Sequence, residues 1–238
     1  MSETIYTIPV NEAFEACASD HSLGCPFCRL YNILEGNEID LILGASMMEP
    51  DTRIKTNEQS FCPTHFDRLL DAKKRLPLAL MMESHMEALR EDIKDGALSS
   101  LIGRIGVAAP KRLARLDDSC YVCSRIEYNF SRMLSNAALL YAEDETFKEK
   151  IKKQPYICLP HFRMWLEVAQ REMKKSYPDF YRDVSKPVYD YYDTLKDDIS
   201  WFCKKFDYRY ENESWGNSKD SLERARKFLC ADLHKTIK

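Results

Sequence analysis

Glycine is scarce, at 7 of 238 residues. A chain of many short strands and tight hairpins needs more, so the expectation turns to helices. Charge of one sign is also lacking. Lysine plus arginine number 35 against 38 acidic residues, for a net charge of −3, and no overall basic field exists to draw nucleic acid or an anionic membrane. No run of about 18 apolar residues occurs, which argues against a membrane-spanning helix. The opening Met1-Ser2-Glu3-Thr4-Ile5-Tyr6 has no basic stretch followed by an apolar core, so it does not read as a secretory leader, and the expected location is cytoplasmic.

Familiar catalytic patterns are missing too. None of the 5 histidines follows a glutamate by three positions, as repeated di-iron helices require. There is no Gly-x-Ser-x-Gly elbow, phosphate loop or His-Glu-x-x-His. Gly103-Arg104-Ile105-Gly106 imitates an RNA-clamping loop, but its flanks lack the strand pattern that such a loop needs. Glu83 and Glu87 around His85 suggest a proton relay, although a surface helix face is the better account.

What the chain has is cysteine, 9 residues of it, mostly in order. Cys25-Pro26-Phe27-Cys28 and Cys62-Pro63-Thr64-His65 are followed by Cys120-Tyr121-Val122-Cys123 and Cys158-Leu159-Pro160-His161. The unit reads as an internal repeat, C-x2-C then C-x2-H, with 33 residues between the pairs in the first copy and 34 in the second. In a reducing compartment such spacing points to metal ligands rather than disulfides. Three thiolates and one imidazole form the closed tetrahedron that zinc prefers, and two zinc ions are expected. An iron–sulfur cluster also accepts such ligands and is the alternative. Combining the two C-x2-C pairs into one site is a second option for pairing, but the equal spacing favours pairing within each half. A thioredoxin-like role for Cys25 and Cys28 lacks the preceding strand it needs. Cys17, Cys203 and Cys230 lie outside the pattern and are expected to be buried thiols.

Donors separated by two residues at a helix start face the same side, and the helix end favours the thiolate. Pro26, Pro63 and Pro160 suit such starts. Residues 1–96 and 119–176 are read as the two halves, 97–118 as a connector, and 177–238 as an aromatic-rich helical region packed on the same core. A short helix is expected over Glu12 to Ala18, and Leu30, Ile33, Leu34, Leu41 and Met47 are expected to form a buried stripe. Met48 to Ser60 reads as polar connecting chain, and Pro77 as a kink or division in the helix begun at Pro63. The segment from Glu143 to Lys153 reads as a short exposed helix. Val184, Val188, Tyr191, Leu195, Ile199, Phe202 and Phe206 step by three or four along another, and Leu222, Ala225, Phe228 and Leu229 are expected to point inward from a last one. The predicted class is all-α, a helical bundle of two zinc-clamped helical hairpins plus a C-terminal helical pair.

Cys25-Pro26-x-Cys28, Phe61-Cys62-x2-His65, the second set at Cys120, Cys123, Cys158 and His161, and the tail from Lys205-Phe206-Asp207-Tyr208-Arg209 through Trp215-Gly216-Asn217 resemble a family of uncharacterised bacterial proteins, a domain of unknown function, over nearly the whole chain. The resemblance implies a cytosolic protein with paired cysteine motifs and carries no activity. It draws attention to Asp207, Arg209 and Trp215, for which a packed turn is the plainer account. The functional expectation is an interaction or regulatory module with structural metal, working on a protein partner or on itself. A thiol-based redox or metal sensor is the alternative, and an enzyme of unknown substrate comes third, because four protein ligands leave a metal no open position.

Overall fold

The computed structural model describes residues 4–93 and 109–237. It is all-α, with no strand among the described residues. In chain order the helices are α1 (Thr4–Ser19), α2 (Pro26–Ile42), α3 (Pro50–Gln59), α4 (Pro63–Asp71), α5 (Arg75–Ile93), α6 (Ala109–Asp117), α7 (Tyr121–Glu143), α8 (Glu145–Lys152), α9 (Leu159–Met173), α10 (Tyr177–Lys204) and α11 (Ser221–Cys230). Packing divides the chain into two units, one of Met1–Ile33 with Phe130–Lys238 and one of Leu34–Asn129. The first unit joins two segments far apart in the chain, and the second is one continuous stretch.

The first unit is built on aromatic rings. Phe14, Phe27, Phe147, Trp165, Phe180 and Phe228 are fully buried. Phe27 meets Phe14 edge-on at 5.3 Å and Trp165 at 5.0 Å, and Trp165 meets Phe180 at 4.9 Å. Such offset contacts add about 0.5–1.5 kcal/mol each to the burial itself. The C-terminal region packs here, α10 against α8, α9 and α11. Helix α8 is less exposed than its charge suggests, because Phe147 and Ile151 are wholly buried on the face where it packs against α1 and α10.

The second unit sets α3 against α5 and α6, and α4 against α5. Helix α3 occupies the stretch expected to be connecting chain. Glu49 stands at the N-cap position without a side-chain capping hydrogen bond, while Pro50 opens the helix and Asp51 lies in its first turn, and these last two favour a helix start. Its one large apolar residue, Ile54, is exposed, so it shows no apolar periodicity. The expected kink at Pro77 falls earlier, at Lys73, whose φ is +59°. Pro77 then sits in the first turn of α5, where its missing N–H costs nothing.

Other expectations change in detail. Helix α1 extends well before Glu12 and accommodates Pro9. Leu41, Phe206, Leu222 and Leu229 are exposed rather than inward. Cys17 is buried as expected, but Cys203 and Cys230 are exposed. His85 is buried, and its Nδ1 donates to the Asn57 carbonyl at 3.1 Å, an anchor for the α5 face. Gly103 to Gly106 and most of the connector lie outside the described residues. Among the described residues no helix is long and apolar enough to cross a membrane.

Candidate metal centres

All four cysteine and histidine modules share one local geometry. The leading cysteine directly precedes a helix, and the second ligand is the third helical residue: Cys25 and Cys28 at α2, Cys62 and His65 at α4, Cys120 and Cys123 at α7, Cys158 and His161 at α9. Each leading carbonyl accepts the helix's first hydrogen bond, from Arg29, Phe66, Ser124 and Phe162 at 2.8–3.1 Å. Ligands three apart therefore face the same side, next to unpaired N–H groups and the positive helix end.

The helix starts meet crosswise. Cys25, Cys28, Cys158 and His161 form one cluster, and Cys62, His65, Cys120 and Cys123 the other, with donor atoms within 4.8 Å of one another. This corrects the pairing within halves that the spacing favoured. Each cluster still holds three cysteines and one histidine, joining a C-x2-C from one half to a C-x2-H from the other.

In the first cluster, Nδ1 of His161 is 3.8, 3.5 and 3.2 Å from the sulfurs of Cys25, Cys28 and Cys158. The Cys28 and Cys158 sulfurs are 3.6 Å apart. In the second, Nδ1 of His65 is 3.2, 3.3 and 3.3 Å from Cys62, Cys120 and Cys123, and Cys62 is 3.9 Å from Cys123. A tetrahedral zinc with Zn–S near 2.3 Å and Zn–N near 2.0 Å separates its ligands by about 3.8 Å between sulfurs and about 3.6 Å from sulfur to nitrogen. The donor sets fit one ion each.

Different supports hold the two. Gly24, at φ +74°, turns the chain into Cys25 so closely under Tyr156 that a Cβ there would meet the phenol oxygen at 2.9 Å. The Asp232 N–H donates to the Cys28 sulfur at 3.3 Å, while the Asn32 side chain donates to the Asp232 carbonyl and accepts from the Lys235 N–H. Phe27 and Phe130 flank the His161 ring. In the second cluster, Tyr121 N–H donates to the Ser60 carbonyl and Ser119 Oγ to the Gln59 carbonyl, which fixes the entry to α4 beside the entry to α7. Nε2 of His65 is 3.1 Å from Oε1 of the fully buried Glu35, whose other oxygen lies 3.3 Å from Arg68. This carboxylate was not singled out from the sequence, though a glutamate two turns after Cys28 in an apolar stretch signals a buried charge needing a partner.

Without a cation, the thiols of each cluster compete for charge. Burial raises Cys25, but contacts with Cys158, Cys28 and His161 outweigh it and hold it well below the ordinary thiol value. Contact with Cys25, then with Cys28, pushes Cys158 far up. In the second cluster burial opposes ionisation of Cys120, yet His65 brings it down to about 6, and burial followed by the Cys120 charge pushes Cys123 up. Burial disfavours charge on His65, but Cys120 and Glu35 raise it to about 10. Charge on Cys25 thus opposes ionisation of Cys158, and charge on Cys120 opposes that of Cys123; a central divalent cation removes that conflict by attracting the thiolates.

A family model described as a family of unknown function, DUF6062, matches residues 1–236. The chain belongs to this family. No curated protein and no solved structure matches it. The tail segment that contributed to the family resemblance is a packed turn: Lys205 Nζ donates to the carbonyls of Tyr210, Glu211 and Glu213, Arg209 forks onto Asp207, and Trp215 lies against Phe202 and Phe206. The eight motif residues cluster. Asp207, Arg209 and Trp215 instead hold a loop in shape.

Proposed function

We propose that this is a zinc protein in which two Cys3His sites act as structural clamps, and that it works by binding a protein partner or a second copy of itself. The observation that carries this reading is the closure of each donor set: four protein ligands at single-ion spacing leave no position for water or substrate. The spacing supports one zinc per site over a multi-iron cluster, whose ligands stand farther apart. Each clamp holds the starts of two helices from distant parts of the chain, and a filled site contributes on the order of 10 kcal/mol. The test is chelation under reducing conditions. The proposal expects two tightly held zinc ions per chain whose removal lowers the melting temperature and loosens both units; a protein whose fold and melting are unchanged on metal removal contradicts it.

One observation favours a redox sensor as a second reading. The first cluster is wholly buried, whereas Cys123 of the second is exposed with the Cys62 sulfur 3.9 Å away. Hydrogen peroxide would take two electrons from that pair, forming one S–S bond and, with two protons, two waters as the zinc leaves. Release of one zinc at low peroxide, reversed by a dithiol and added zinc, supports this reading; equal inertness of both sites removes it.

A further inference from the structure

A pocket of about 310 Å³ opens beside the first cluster, and the Cys25 and Cys28 residues form part of its wall. Its lining carries three cations, Arg29, Lys227 and Lys235, against one carboxylate, Asp232. Asp232 is already engaged by Lys235 and Arg226. Arg29 and Lys227 are half-buried, and their charged groups form no hydrogen bond or ion pair with any described residue. Cations so placed, with no carboxylate paired to them, can engage an anion that enters the pocket. The Tyr156 hydroxyl, pressed on Gly24, also borders the pocket and has no hydrogen-bond partner among the described residues. Leu23 and Ile237 add apolar wall.

We propose that this pocket binds a small organic oxyanion, a carboxylate or a phosphate ester, with its charged end on Arg29 and Lys227, a hydrogen bond from Tyr156, and its apolar part against Leu23 and Ile237. The volume lies at the lower end of ligand pockets, which run from about 300 to 1,000 Å³, so the occupant is a metabolite-sized molecule rather than a peptide. The neighbouring cluster, with three thiolates around a divalent ion, carries a formal charge of −1. The surplus of cations keeps the pocket wall attractive to anions despite it. Occupancy would tie α11 and the segment after it to the start of α2, coupling ligand binding to the first metal clamp.

The experiment is calorimetric titration of the metal-loaded full chain with sodium phosphate, phenyl phosphate, acetate and benzoate at constant ionic strength, with chloride as control. Saturable binding of benzoate or phenyl phosphate, weakened at least tenfold in both Arg29→Met and Lys227→Met, is expected. A response confined to the phosphates identifies a phosphate ester as the ligand class, and one confined to carboxylates a carboxylic acid. Metal content is measured on every variant, so loss of the clamp is distinguished from loss of the pocket. Binding that follows ionic strength alone, no binding by any probe, or affinity unchanged in variants that keep both metals overturns the proposal.

Discussion

Glu35 accepts from one nitrogen of His65 while the other nitrogen of that ring faces three sulfurs, with Oε1 3.1 Å from Nε2. A carboxylate in this position fixes the imidazole's tautomer and orientation and strengthens it as a donor. Glu35→Gln is expected to weaken zinc at the second site by about 10- to 100-fold and leave the first unchanged. Competition with a chelating dye on the two-zinc protein reads this as one early and one late release.

The unequal exposure of the clusters sets a second expectation. Cys123 is exposed and the first cluster's cysteines are all buried, so an alkylating reagent should modify the second cluster first. Mass spectrometry of peptides after brief treatment should find Cys123 labelled and Cys25, Cys28 and Cys158 untouched. Cys203 and Cys230, also exposed, should label readily and need prior replacement by serine.

Gly24 has no substitute. Its φ of +74° disfavours other residues, and an added Cβ meets Tyr156 at 2.9 Å. Gly24→Ala should destabilise the protein by about 1–3 kcal/mol, read from denaturant unfolding of the zinc-loaded form. Gly36→Ala, where nothing lies within 4 Å, should be neutral or slightly stabilising.

In the metal-free chain His65 is raised to about 10 and Cys120 lowered to about 6. The raised His65 stabilises the fold fully below its unfolded value near 6.5 and stops doing so as pH rises through 10. The lowered Cys120 stabilises it fully above 9 and stops as pH falls through 6. An imidazolium–thiolate pair should therefore persist between about pH 6 and 10. Zinc requires neutral imidazole and three thiolates, so binding in that window must release protons. Calorimetry in buffers of different ionisation enthalpy measures the number released, and zero release contradicts this account of the donor set.

The eight clustered cysteine and histidine residues were legible as candidate ligands because such pairs three apart before a helical stretch have few other uses, and the prolines marked the helix starts. Their pairing was not legible: gaps of 33 and 34 residues measure chain length, and say nothing of which helix ends meet. Helix α3 escaped because its only large apolar residue, Ile54, is exposed, so no periodicity marked it. Leu222 and Leu229 were placed inward by spacing, whereas α11 buries the narrower stripe of Ser221, Ala225 and Phe228. Glu35 was hidden because nothing in its neighbours' spacing announces the histidine it meets, which lies 30 residues on.

Zinc content per chain in two double variants tests the central claim most directly. Removing Cys25 and Cys62 together takes one ligand from each crosswise cluster, and Cys25→Ser with Cys62→Ser should leave no tightly bound zinc. Removing Cys62 and Cys120 empties only the second cluster, and Cys62→Ser with Cys120→Ser should retain one. The opposite pattern, one zinc in the first variant and none in the second, would restore pairing within the halves and contradict the arrangement described for these sites.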